Sequence, residues 1–319
     1  LSLKFKDMIL ECTYDIEAVG NPFFKKIYDK VFNELNSKFK EYQFIHKQPT
    51  PKNISRMSSP GGGSNFQITN PTNKKTILLS FWDRGMNLFE KDLGWEDYDL
   101  IDYYGGIGMF ETSEKIKEKY GVNHYPLQYP LGVKNSDIFI EKHRIKYNFE
   151  NRIPKAIFIG RMHGSRKKIC EILKKHPNIE IFDENDTYYN ERYFEKIKDY
   201  RMGISLNGNG EFCLRDVEYM GMEIPIIRPK LKTKFYNPLN ENEHFIPVDI
   251  ESENAHSDFF GKTEYEVAQK IIEVVESNIN NKDVLTEMAK NGRDYFVNFT
   301  STDYISELFI KLINIKNIE

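Results

Sequence analysis

The second half of the chain alternates short apolar runs with amphipathic stretches. Ala156-Ile157-Phe158-Ile159, Ile179-Glu180-Ile181-Phe182, Met202-Gly203-Ile204-Ser205-Leu206 and Ile224-Pro225-Ile226-Ile227 read as buried strands. Residues 165–175, 193–200 and 211–220 lie between them and read as helices. Strands that alternate with helices in this way form parallel βαβ units. Three further helices, over 264–278, 282–299 and 303–315, close the chain. The first half is less regular. Phe23, Phe24, Ile27, Tyr28, Val31, Phe32, Leu35 and Phe39 recur at helical spacing. Residues 50–73 are rich in Pro, Gly, Ser and Asn, include Pro60-Gly61-Gly62-Gly63-Ser64, and predict a long loop. Thr76-Ile77-Leu78-Leu79-Ser80-Phe81 predicts a buried strand that runs into Trp82-Asp83-Arg84-Gly85. A second short strand is expected over 98–103, and a helix over 113–120 closed by Gly121. The mixed stretch 123–150 ends in a polar run and reads as a linker. The pattern therefore predicts an α/β protein of two Rossmann-like halves, one over 1–150 and one over 151–319. The final helices are expected to pack back toward the first half.

Composition narrows the class. A chain of 319 residues suits two cores better than one. The formal net charge of -3 gives no global pull toward nucleic acid or anionic membrane, so an anionic ligand must be met by local basic residues. Cys12, Cys170 and Cys213 are odd in number and far apart, which argues against a disulfide framework or a zinc site and fits a reducing, cytoplasmic compartment. No stretch approaches the roughly 20 apolar residues of a membrane span. The chain opens at Leu1 rather than Met, which leaves room for a trimmed signal or anchor.

A parallel sheet binds ligands outside the carboxyl ends of its strands. That rule selects the residues after each predicted strand. The first loop, Gly160-Arg161-Met162-His163-Gly164-Ser165-Arg166-Lys167-Lys168, brings basic residues to the sheet edge. The second, Asn207-Gly208-Asn209-Gly210, leads into a helix bearing Arg215. Glycines let backbone approach a ligand closely, and a helix N-terminus favours an anion. The Arg215 guanidinium can grip phosphate oxygens as a fork. The plainer readings are a solvated charge run and a β-turn with a surface arginine. Two such loops on one edge favour the anion site. Glu218, a turn beyond Arg215, is expected to pair with it rather than with a ribose hydroxyl.

These parts, Phe158-Ile159-Gly160 with Arg166 and Lys167, Asn207-Gly208-Asn209-Gly210 with Arg215, and His244-Phe245-Ile246-Pro247-Val248, resemble glycosyltransferase family 90 in order and spacing. That family includes capsule-associated xylosyltransferases and protein O-glucosyltransferases. The resemblance spans Lys155 to Asp249, under half of the chain. It implies a GT-B fold with a donor cleft between two Rossmann-like domains, a UDP-sugar donor, a glycan or glycoprotein acceptor and inversion at the anomeric carbon. Xylose or glucose is the implied sugar. By the same resemblance Arg215 and one of Arg161, Arg166 and Lys167 hold the diphosphate, with Gly160, Ser165 and the 207–210 turn around it. The run after Gly160 departs from the family's usual Ser-Arg-Thr-like sequence, which leaves open which basic residue meets phosphate.

The resemblance places a catalytic Asp after a strand of the first half. Asp83 matches, and its position after the predicted strand supports it independently; the alternative is a turn cap. Asp102 is the runner-up. Asp97-Tyr98-Asp99 has a metal-binding pattern but reads as acidic surface. The expectation is an enzyme that needs no metal or other cofactor and uses the UDP-sugar as co-substrate. Its rivals are a GT-B transferase of another family with a different donor, and a non-catalytic nucleotide-sugar or glycan-binding module.

Overall fold

The computed structural model describes residues 8–14, 22–47, 65–81, 99–105, 112–128, 136–162, 164–183, 191–208, 211–250 and 263–319. Asp83, His163, Asn209, Gly210 and the glycine run 61–63 lie outside the described residues. In chain order the first elements are β1 (Met8–Thr13), α1 (Pro22–Lys38), β2 (Tyr42–Lys47), β3 (Asn65–Thr69), β4 (Lys75–Ser80), β5 (Asp99–Gly105), α2 (Ser113–Tyr120), β6 (Asn123–Tyr125) and α3 (Ser136–His143). Then come β7 (Ile153–Gly160), α4 (Gly164–Leu173), β8 (Ile179–Asp183), α5 (Glu191–Ile197), β9 (Tyr200–Ile204), α6 (Leu214–Gly221), β10 (Ile226–Pro229) and β11 (Ile246–Val248). The helices α7 (Glu264–Asn278), α8 (Lys282–Phe299) and α9 (Thr302–Leu312) follow. They form two compact α/β units, residues 1–130 with 301–319 and residues 131–300.

The first unit is a six-stranded mixed sheet in the order β2-β1-β3-β4-β5-β6. β3 runs antiparallel to β1 and β4, while β1–β2, β4–β5 and β5–β6 are parallel. α1 buries Phe24, Ile27, Tyr28, Val31 and Leu35, the stripe that its 3.6-residue period predicts. α2 ends at Gly121 as expected, because the cap takes φ 75°, a left-handed turn that a Cβ would strain. Two expectations fail. β3 lies inside the stretch read as a loop, and β1 and β2 lie in stretches without a strand signal. β3 escapes because Asn65, Gln67 and Thr69 are polar yet buried with Phe66 and Ile68. A strand covered on both faces does not alternate.

The division of the chain also differs from a boundary at residue 150. It falls after Pro130, and the supposed linker contains β6 and α3. Of the closing helices, α9 belongs to the first unit, while α7 and α8 belong to the second. Buried polar bonds explain where the last residues go. Asp102 is fully buried in β5, and its two carboxylate oxygens accept from Asn123 Nδ2 at 2.6 Å and Asn317 Nδ2 at 2.7 Å. Asn70 Nδ2 donates to the Ile318 carbonyl at 2.8 Å, and the Tyr104 hydroxyl donates to the Leu312 carbonyl at 3.1 Å. Phe309 meets Tyr104 edge to face at 5.0 Å. Asp102 is thus a latch for the chain's end. β5 continues past it to Gly105, so it does not stand at a strand end, and both of its oxygens are taken up by amides within the unit.

The second unit is a five-stranded parallel sheet in the order β11-β10-β9-β7-β8. Numbered from its own first strand this is 2-1-3-4-5, a doubly wound order. Ala156, Phe158, Met202 and Ile204 share one core with Ile169, Cys170 and Leu173 of α4 and Val267, Ala268, Ile271 and Val275 of α7. On α6, the Tyr219 hydroxyl donates to the Ile157 carbonyl of β7 at 3.1 Å, which seats that helix on the sheet.

His124 of β6 yields a pH prediction. Its Nε2 lies 3.1 Å from the Gly105 carbonyl, and its Nδ1 lies 3.1 Å from Ser113 Oγ. The carbonyl can only accept, so Nε2 carries the proton and Nδ1 accepts from the hydroxyl. Burial pushes the imidazole from 6.5 down to about 4, so the folded state disfavours the proton. The stability tied to this neutral form is whole above pH 6.5 and is lost as pH falls toward 4. The full effect is about 3 kcal/mol. Urea unfolding from pH 7.5 to 4.5 should show a falling midpoint that is flatter in His124→Gln.

Candidate functional site

In a doubly wound sheet the chain leaves the first strand in one direction and later returns on its other side. The carboxyl ends of the two adjacent strands then diverge and open a crevice. Here that switch point lies between β7 and β9, which pair as neighbours. The two loops singled out in the sequence follow these two strands. α4 and α6 begin just past them, so two helix N-termini stand at the same edge, each a partial positive charge.

The two arginines at this edge are in different states. Arg166 is buried and donates through Nη2 to the Leu206 carbonyl at 3.1 Å and to the Asn207 carbonyl. Its Nη1 donates to the Arg161 carbonyl at 3.2 Å. One guanidinium thereby ties the loop after β7 to the loop after β9. Arg215, on the first turn of α6, is half-buried. Its Nε donates to the Ile159 carbonyl at 2.9 Å, and its guanidinium lies over the Phe158 ring at 4.5 Å. Its Nη1 and Nη2 make no hydrogen bond to a described residue. Burial opposes its charge, but Tyr219, Tyr193, Cys213 and Glu218 outweigh that and move its pKa up. Gly160 makes room for this arrangement, because a Cβ there would run into the Arg215 guanidinium and the Phe158 ring.

The remaining predicted residues separate. Arg161 and Lys167 are exposed, and Lys167 lines a cavity of about 760 Å³ beside β8 together with Met162, Phe182 and Asp183. Lys168 pairs with Glu264 at 3.1 Å. Ser165 is half-buried on α4. Asn207 is buried, and both polar atoms of its amide lack a hydrogen-bond partner among the described residues. Such a group is costly to leave unmet, and it stands at the mouth of the switch point. Gly208 N donates to Cys213 Sγ at 3.1 Å. His244 of the family-like His-Phe-Ile-Pro-Val run accepts from Asn240 N at 3.0 Å through Nδ1 and packs on Tyr295, a structural role.

Three residues outside the expected set hold the second loop. The helix predicted from residue 211 starts at Leu214, because the Asp216 carboxylate accepts from Cys213 N at 2.7 Å and caps it there. Glu211 instead turns inward, 2% exposed. Its carboxylate accepts from Thr233 N at 2.9 Å, from Thr233 Oγ1 at 2.7 Å and from Lys232 N. Burial raises its pKa against these bonds. Arg228 of β10 meets Asp216 at 3.1 Å with both side chains out of solvent, and its Nη2 donates to the Glu211 carbonyl at 2.5 Å. Charged residues inside apolar runs, such as Arg228 after Ile226-Ile227, were the available signal for this bracket.

In the first unit, Asn65 pairs in register with Ser80, the last residue of β4 and three before Asp83. Its amide is fully buried and both polar atoms lack a partner among the described residues. It is a candidate binding group at that edge which no sequence signal marked.

The bracket can be tested by breaking it. Asp216→Ala leaves Arg228 buried without its partner, which costs about 3–5 kcal/mol, whereas a paired replacement by apolar residues is often neutral. Urea denaturation should show a large loss for Asp216→Ala and a much smaller one for Asp216→Leu with Arg228→Met.

No protein-family model matches the chain, and no curated protein is similar to it by sequence. Solved structures similar to it include a glycosyltransferase from Rickettsia africae ESF-5, at 12% identity and a TM-score of 0.45 over 98% of each chain. The pneumococcal O-GlcNAc transferase GtfA, solved with UDP and GlcNAc, is similar at 12% identity and a TM-score of 0.40, over 89% of this chain and 58% of that one. The GtfA/B complex is similar at 11% identity and a TM-score of 0.40, over 68% of this chain and 45% of that one, so the chain spans under half of that relative's length.

Proposed function

We propose that this protein is an inverting glycosyltransferase that takes a UDP-sugar and passes the sugar to a hydroxyl of a glycan or protein, with xylose or glucose as the sugar and family 90 as its kin. The observation that carries the reading is the state of Arg215 at the switch point. Its Nε is fixed on the Ile159 carbonyl, while its two Nη groups bond to no described residue and form a fork. A fork already held in place loses little freedom on meeting a diphosphate. The N-termini of α4 and α6 and the Asn207 amide add donors around it.

In this reading Arg215 is the phosphate hand. Arg166 is a positioning residue, because three carbonyl oxygens already hold it. Charge that builds on the leaving diphosphate is met by Arg215 and the helix ends, so donor binding needs no metal. Asp83 removes the proton of the attacking acceptor hydroxyl. The acceptor oxygen bonds to the anomeric carbon as the bond to the diphosphate breaks, and the configuration inverts.

Two substitutions separate the roles. Arg215→Ala should weaken UDP binding by about 10- to 150-fold, the equivalent of about 1.5–3 kcal/mol for a charge-assisted bond, and leave the protein folded with a modestly lower melting temperature from the lost bond to Ile159. Calorimetric titration of UDP in EDTA reads this directly, and unchanged affinity would refute the assignment. Asp83→Asn should lower transfer by roughly 10²–10⁴ while UDP affinity stays at the wild-type value. UDP binding without turnover in the wild-type protein would instead mark a nucleotide-sugar-binding module. An axial-to-axial or equatorial-to-equatorial product in the NMR spectrum would overturn inversion.

A further inference from the structure

His143 closes α3, and Glu191 and Glu195 stand one turn apart on α5. The two helices pack together, with the Phe139 and Phe194 rings 5.9 Å apart. Across that seam His143 Nε2 lies 2.8 Å from Glu191 Oε1. One ligand atom from each of the three residues lies within 4.8 Å of the other two. We propose that His143, Glu191 and Glu195 form a Zn²⁺ site that staples α3 to α5.

The donor set suits the ion. One imidazole nitrogen and two carboxylate oxygens are ordinary zinc ligands at about 2.0–2.2 Å, and donors on one tetrahedral ion lie about 3.4 Å apart. The three donor atoms already lie within 4.8 Å of one another, close to that spacing. The geometry is also prepared. The His143 side chain is 9% exposed, so its ring is held in place and partly dehydrated, while Glu195 is exposed and free to swing in. Water completes the fourth position.

Charge points the same way. Carboxylates four residues apart on a helix repel each other. Lys142 brings one positive charge, through a hydrogen bond to Glu191 and a longer-range attraction to Glu195. Its side chain is 59% exposed, so it leaves readily when a divalent ion arrives. The two carboxylates then balance the charge of the ion. A plain ion-pair network centres on Lys142, His143 and Glu191 and leaves Glu195 only a longer-range attraction to Lys142. The staple uses Glu195 and treats Lys142 as a competitor.

That difference sets the experiment. Protein stripped with EDTA and returned to metal-free buffer is titrated with zinc chloride in a calorimeter, and its melting temperature is read with and without one equivalent of zinc. One-to-one uptake and a higher melting temperature are expected. Glu195→Gln and His143→Gln should each weaken zinc binding by at least about tenfold. Lys142→Ala should bind zinc more tightly than wild type. No one-to-one uptake, uptake unchanged in Glu195→Gln, or weaker uptake in Lys142→Ala would each overturn the site. Should His143→Gln fail to fold, the exposed Glu195→Gln decides alone.

Discussion

The pair between Asp216 and Arg228 is the constraint from which the edge of the second unit is built. Two opposite charges out of solvent lose their hydration, and their attraction compensates only when the remaining donors and acceptors are also met. Here the loop itself meets most of them, while Arg228 Nη1 and Asp216 Oδ1 face only each other, at 3.1 Å. Arg228 also donates to the carbonyls of Glu211 and Pro229, and the rings of Phe212 and Phe245 lie 5.6 Å from its guanidinium. The second oxygen of Asp216 caps Cys213. The pair therefore decides where α6 begins. The start of α6 in turn decides that Arg215 falls on its first turn, toward the end of β7.

Around Phe158 the site concentrates positive charge. The Arg166 and Arg215 guanidiniums lie 5.6 Å and 4.5 Å from the same ring. Two cations so close repel unless something offsets them. Carbonyl oxygens at the strand ends do part of this: Ile159 for Arg215, and Arg161, Leu206 and Asn207 for Arg166. The helix N-termini add to the positive potential rather than relieve it. An anionic ligand is the natural counterpart of such an edge. The same arrangement gives the two arginines different work, since Arg166 with three carbonyl partners is a strut and Arg215, with one hydrogen-bond partner among the described residues, keeps a fork to offer.

The first unit has its own polar skeleton. Asp102, Asn70, Asn73 and Tyr104 draw the chain's last residues into it through bonds to Asn317, Ile318, Glu319 and Leu312. These partners are more than two hundred residues away in the sequence. A carboxylate in an apolar strand invites a catalytic reading, and the fold turns it into a fastening point. Asn65 is the opposite case. Its neighbours give no hint of function, yet its buried amide lacks partners among the described residues, opposite Ser80 at the end of β4.

Local pattern alone determined the α/β class, the parallel sheet of the second unit, α1, α2 with its Gly121 end, and the two loops at the switch point. Those features follow from side-chain periodicity, glycine and capping chemistry, all of which act within a few residues. Tertiary structure decided what depends on distant partners. β3 is a strand because covering on both of its faces buries Asn65, Gln67 and Thr69. α9 joins the first unit because Asp102 and Asn70 bind the residues after it. Arg166 is a strut because the carbonyls of Leu206 and Asn207 meet it, while Arg215 bonds only to the Ile159 carbonyl among the described residues. A charged or polar side chain has one composition and several uses, and the use is set by which long-range partner shields it from water.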